Sequence, residues 1–154
     1  MYDIGSERPG TMAAILGRLS TPIESLCQQA TDEAGLVVPA NYNTDEQVVV
    51  SGEIAGVERA MQLAREAGAK RALRLAVSGA FHSPLMSPVE IAFSGAIAST
   101  GFLDPDFPVY SNVTAEPCTT AEESRTLLLR QLTSPVRWSA EVRAMASAYP
   151  DALY

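Results

Sequence analysis

VVPANYNTDEQVVVSG, residues 37–52, is the stretch on which the fold turns. Residues 37–43 and 47–52 are β-rich runs separated by Thr44, Asp45 and Glu46, a loop of hairpin length, so the two runs are expected to pair antiparallel. Upstream, the apolar run 11–17 (TMAAILG) reads as a buried strand ended by Gly17. A helix follows it. Thr21 is placed to cap, Pro22 suits the first helical position, and Glu24 completes a capping box, with Ile23, Leu26, Cys27 and Ala30 on one apolar face. Downstream of the hairpin the period becomes helical, with Ile54, Val57, Met61 and Ala64 aligned and Gly68 as the stop. Residues 70–77 (KRALRLAV) alternate again and read as a strand. The order over residues 11–77 is therefore β-α-β-β-α-β, the split βαβ pattern of a ferredoxin-like unit.

That unit ends where VSGAFHSPLM, residues 77–86, begins, and this segment holds the only histidine of the chain. Imidazole titrates near neutrality, so His82 in a strand-to-helix loop is a candidate general base, or simply a histidine satisfied in a loop or core. Ser87, Pro88 and Glu90 repeat the cap logic and start a helix with Val89, Ala92, Phe93 and Ala96 on its apolar face. Residues 107–113 (FPVYSNV) read as a further strand. Thr120, with Glu123 three residues on, caps a helix carrying Leu127, Leu128 and Leu132, and Ser134-Pro135 opens a last helix in which Trp138 is a packing residue.

Composition narrows the function classes. A net charge of −7 with no basic run argues against nucleic acid or an anionic membrane as the main partner, and 47% hydrophobic residues supply a core. Cys27 and Cys118 have neither Cys-x-x-Cys spacing nor a histidine cluster, so neither a zinc site nor a disulfide framework is expected, and a reduced cytoplasmic setting is. No segment approaches the roughly 18 apolar residues of a membrane helix. MYDIG at the start and DALY at the end both read as interrupted elements. A histidine base in acyl transfer needs a nucleophile, usually the serine of a Gly-x-Ser-x-Gly turn, and these residues contain no such pentapeptide. Ser78, Ser83 and Ser87 lie near His82 but are ordinary loop and cap residues.

PANYN…QVVVSG (39–52), AGAKRALRLAVSGAFHSPLM (67–86), VYSNVTA (109–115) and RQLTSPVRW (130–138) occur in one order along almost the whole chain. Together they resemble the second half of the malonyl-CoA:acyl-carrier-protein transacylase family. The resemblance implies an α/β chain in which a ferredoxin-like (βαββαβ) small subdomain, residues 11–77, is inserted into an α/β hydrolase-like large acyltransferase subdomain. Residues 1–10 and 78–154 would be the C-terminal part of that large subdomain. It further implies that malonyl passes from malonyl-CoA through a serine ester to the phosphopantetheine thiol of acyl carrier protein. His82 would be the general base, and the main-chain carbonyl of Gln131 would orient it in place of a carboxylate. Phe81 matches the aromatic that favours malonyl over methylmalonyl, or packs in the core. Asn41 and Asn43 match cleft-facing residues, or form a turn. Gln131 read alone is an ordinary residue near a helix end.

The family's Gly-His-Ser-Leu-Gly turn, its oxyanion segment and its malonate-binding arginine match nothing in these residues. Met1 aligns with the methionine of the Arg-Gly-x-x-Met motif, so that arginine is expected before it, and the Gly-Pro-Gly-Lys segment after Tyr154. The 154 residues alone are accordingly expected to be inactive. No cofactor beyond the substrates is expected, and a complete member is expected to be monomeric. The competing reading is a non-catalytic module that binds carrier protein or scaffolds a complex, using Lys70, Arg71, Arg74, Arg130 and Arg137 as a local basic surface.

Overall fold

The computed structural model describes residues 9–152, so MYDIG and the last two residues of DALY lie outside it. In chain order it contains β1 (Gly10–Leu16), α1 (Ile23–Ala34), β2 (Val37–Thr44), β3 (Gln47–Glu53), α2 (Ile54–Glu66) and β4 (Arg71–Arg74). A 3-10 turn (Pro84–Met86), α3 (Ser87–Ser99), β5 (Val109–Tyr110), β6 (Pro117–Cys118), α4 (Ala121–Arg130) and α5 (Trp138–Ala148) follow. This is an α/β chain. Its main sheet has the order β2-β3-β1-β4 with antiparallel pairing throughout, so β1, the first strand, is central.

β1 is apolar on both sides because both faces of the sheet are covered at its centre. Ala13 and Ile15 point into the larger core with Val37, Val50 and Ala72, under Leu26, Cys27 and Ala30 of α1 and Val57, Met61 and Ala64 of α2. Val50 and Val57 are fully buried, each gaining roughly 1.5–3 kcal/mol from leaving water. Met12 and Ala14 face the other way, joining Ala40 and Val49 in a second cluster against which Leu16, Leu75 and Phe81 pack. Cys27 is a core residue as expected, and burial pushes its thiol up to about 12. Gly68, at φ +97, ends the α2 segment in the conformation that favours glycine.

Several local expectations change. α1 starts one residue later than its pattern suggests: Pro22 occupies the cap, its carbonyl accepts from the N–H groups of Ser25 (3.1 Å) and Leu26 (3.2 Å), and no side-chain capping box forms. Glu24 accepts instead from Tyr42 Oη at 2.7 Å. β4 covers four residues rather than 70–77: its ladder with β1 ends at the Ala13–Arg74 pair, although β1 itself runs on to Gly10. Leu75 N still donates to Met12 O at 2.9 Å, and the chain then crosses so close to Gly10 that a Cβ there would meet Ala80 Cβ at 2.6 Å. Ser83, not Ser87, caps the turn ahead of α3, accepting from Leu85 N at 3.3 Å. Among its residues only Ile97 is buried, and the expected face of Val89, Ala92, Phe93 and Ala96 is not.

The strand expected over 107–113 shrinks to β5, paired among the described residues with β6 alone. Ser134-Pro135 opens no helix; these residues lead into an extended Val136 that adds to the edge of β2, and α5 begins at Trp138, which is 51% exposed rather than packed. The Thr120–Glu123 cap of α4 is present, with Glu123 N donating to Thr120 Oγ1 at 3.2 Å. No helix among the described residues is long and apolar enough to cross a membrane.

Glu141 on α5 is 5% exposed and its Oε2 has no hydrogen-bond partner among the described residues. Burial raises its carboxyl pKa, so the folded state favours the protonated acid; the stability this confers is complete at low pH and is lost as pH rises through the raised value. Glu141→Gln is expected to stabilise the fold at pH 7 by about 1 kcal/mol, a Tm rise of about 2–5 °C, with the gain fading toward about pH 4. Thermal melts across that range check it; a gain that is independent of pH contradicts it.

Candidate active site

His82 is held in an unusual backbone conformation by the turn around it. Its φ is +57, the left-handed region that costs a non-glycine residue about 1–2 kcal/mol. Ser83, fully buried, secures the turn by donating to Ala80 O at 2.7 Å while accepting from Leu85 N. That hydroxyl is therefore committed to structure and is no nucleophile, and Ser78 and Ser87 lie on the exposed surface.

The imidazole reaches 49 residues along the chain to Gln131: Nδ1 lies 3.1 Å from its main-chain oxygen. Gln131 caps the C-terminus of α4, where carbonyls have no partner within the helix, which leaves this oxygen available to accept. With Nδ1 carrying the proton, Nε2 keeps its lone pair, as a base requires. Among the described residues both hydrogen-bond partners of the ring belong to Gln131, the second being its side-chain Nε2, 3.3 Å from Nδ1. A cleft of about 270 Å³, lined in part by Tyr110, Ser111, Asn112, Cys118 and Leu127, opens beside Gln131. Cys118 Sγ there lies 3.0 Å from Ser124 Oγ, and both cysteines are free.

The same segment ties His82 to the edge of the sheet. Past Gln131, Val136 forms a parallel bridge with Asn41: Tyr42 N donates to Val136 O and Val136 N to Ala40 O, both at 2.8 Å. Thr133 Oγ1 donates to Glu90 at 2.9 Å, fastening α3 to this loop. Phe81, the neighbour of His82, packs on the cluster that contains Ala40, the neighbour of Asn41. His82, Gln131, Phe81 and Asn41 are thus linked by direct contacts and one short segment. Asn43 is joined to them only along β2. The β2–β3 register slips between Pro39 and Asn41 and again between Tyr42 and Thr44, leaving Ala40 and Asn43 outside the ladder. Bulges of this kind re-aim side chains beside functional sites.

Sequence reasoning did not find the Val136 bridge, because a single bridge residue has no periodicity, nor the approach of the Gln131 carboxamide to the ring. Of the proposed basic surface, Lys70 lies 3.7 Å from Glu46 and Arg74 3.6 Å from Glu58, which offsets part of its charge.

The known proteins this chain resembles include acyltransferases. The acyl transferase domain model matches residues 5–153. A malonyl CoA-acyl carrier protein transacylase of Bacillus subtilis is 41% identical over 136 residues, which are 88% of this chain and 43% of that protein. The crystal structure of an acyl carrier protein S-malonyltransferase from Vibrio cholerae is similar with a TM-score of 0.85 and 40% identity, covering 90% of this chain and 45% of that one. A malonyl-transacylase in complex with its type II PKS acyl-carrier protein gives a TM-score of 0.87 at 37% identity, covering 95% and 48%. The chain spans about half the length of the relatives it matches. With a family match running through both the sheet and the His82–Gln131 pair, the chain belongs to the acyl transferase domain family.

Proposed function

We propose that these residues supply the base-bearing half of a serine acyltransferase that moves malonyl from malonyl-CoA to the phosphopantetheine thiol of acyl carrier protein. The observation that carries this reading is the 3.1 Å contact of His82 Nδ1 with the Gln131 carbonyl, which leaves Nε2 free to take a proton. In the first half-reaction a serine Oγ attacks the thioester carbonyl and its proton passes to His82 Nε2. The intermediate collapses to the malonyl ester, and the proton goes to the departing coenzyme A thiolate. In the second half His82 takes the proton of the carrier thiol, which attacks the ester, and the proton returns to serine. Phe81, the neighbour of the base, would set the room available to the acyl chain, and Asn41 and Asn43 on β2 would contribute to substrate binding.

Residues 11–77 are proposed as a ferredoxin-like small subdomain, on the strand order β2-β3-β1-β4 with α1 and α2 on one face, and residues 1–10 and 78–154 as part of the large acyltransferase subdomain. Apolar side chains that stand open in the second part support this division: Ile91 is 81% exposed, Leu103 89% and Phe107 73%, a surface suited to burial against further protein. The proposed compartment is the cytoplasm, where the Cys27 and Cys118 thiols stay reduced.

The test is a chimaera in which these residues replace the matching part of the Bacillus subtilis relative. Labelled malonyl-CoA is expected to label the chimaera and to leave the 154-residue chain unlabelled. A folded chimaera that takes no malonyl, or stable covalent labelling of the 154 residues alone, overturns the reading.

A further inference from the structure

Gln131 meets one ring nitrogen with two groups of opposite character. Its main-chain oxygen, 3.1 Å from His82 Nδ1, can only accept, and its side-chain Nε2, 3.3 Å from the same atom, can only donate. Ser134 fixes which end of the carboxamide faces the ring: its main-chain oxygen accepts from Gln131 Nε2 at 3.2 Å, and an oxygen in that place would face another acceptor. One amide hydrogen therefore goes to Ser134 O and the other points toward Nδ1. A nitrogen that carries a proton can use the carbonyl but not the amide; a nitrogen with a lone pair can use the amide but not the carbonyl. The first case is the tautomer with a basic Nε2. In the second, Nε2 holds the proton and cannot act as a base.

We propose that the Gln131 carboxamide is a positioning residue that sets the His82 tautomer in competition with its own main-chain carbonyl, so that the resting ring divides between its two neutral forms. A carboxylate orienter, which only accepts, would hold one form alone. The device rests on the reading of His82 as base. It gives that base a reserve state: the lone pair appears at Nε2 only when Nδ1 turns from amide to carbonyl, a switch confined to Gln131 and Ser134.

His82 is the only histidine, so one pair of ring 15N resonances reports the tautomer in the chain as it stands. Spectra are taken at about pH 8.5, above the ordinary imidazole range. The wild type is expected to show averaged nitrogen shifts between the two limits. Gln131→Met, which keeps length and removes the donor, is expected to lower the ratio of the Nε2–H to the Nδ1–H form about fivefold, the effect of one neutral hydrogen bond. Gln131→Glu, which replaces the donor with an acceptor, is expected to move the ratio the same way and decides the matter if the methionine variant loses its dispersed spectrum. A wild type already at the Nδ1–H limit, or a ratio that neither variant changes, overturns the proposal. The measurement needs no substrate and no acyl transfer, so its failure is distinct from failure of the base reading, which would appear as an active His82→Ala chimaera.

Discussion

His82→Ala in the chimaera is expected to lower kcat/KM for malonyl transfer by about 10⁴–10⁶, leaving only what the oxyanion donors and substrate binding supply. The size of the loss follows from the two proton transfers proposed for the ring. Without it the serine proton has no acceptor in the first half-reaction and the carrier thiol has none in the second. Alanine inherits the φ of +57 and most of its strain, so the fold should be little altered; the Ser83 bonds that secure the turn involve main-chain groups of Ala80 and Leu85 and remain. His82→Gly, which relieves the strain while also removing the base, is the control. Both variants should be equally dead, and the glycine variant somewhat more stable in a thermal melt. Activity within tenfold of the parent in either variant contradicts the assignment of His82.

Phe81→Ser is expected to shift the ratio of kcat/KM values, malonyl over methylmalonyl, toward methylmalonyl by about 10–100-fold. Phe81 has little freedom to move aside. It packs on the cluster of Met12, Ala14, Ala40 and Val49 and is followed at once by the constrained His82, so extra volume on the acyl chain meets atoms that are already packed. Serine opens that space. It also removes apolar contacts from the outer face of the sheet, which lowers stability, but the ratio is taken within one preparation and is insensitive to the fraction folded. A ratio unchanged by the substitution removes Phe81 from selectivity and leaves it a packing residue.

The strands and helices of residues 10–66 were legible because each carries its own period. Met12 and Ala14 against Ala13 and Ile15, or Val57, Ala60, Met61 and Ala64 along α2, state which side is buried whatever surrounds them. Errors began where an element's length depends on a neighbour. The ladder of β4 with β1 stops at the Arg74–Ala13 pair, although Leu75 and Val77 continue the alternation and β1 runs on to Gly10. α3 is apolar nearly all round, so its pattern could not tell which side the described residues cover, and they cover only Ile97. The Thr21–Glu24 capping box does not form and Pro22 takes the cap, and ahead of α3 the side-chain cap falls on Ser83 rather than Ser87, since a sequence pattern defines the ends of a helix less sharply than its middle. In the site, a single histidine and a helix-ending glutamine are unremarkable in isolation. Only the resemblance joined His82 to Gln131, since nothing local in either segment encodes a contact across 49 residues. The carboxamide's approach to Nδ1 lay beyond both kinds of reading, because a rotamer fixed by Ser134 O leaves no mark on composition or spacing.

The most direct test of the claim that these residues supply the base of a serine acyltransferase is the intact mass of the chimaera after brief exposure to malonyl-CoA, with His82→Ala measured beside it. The expected result is a gain of one malonyl group, mapped to the serine of the other half, in the parent and none in the variant over the same interval. Equal acylation of the two proteins would contradict it.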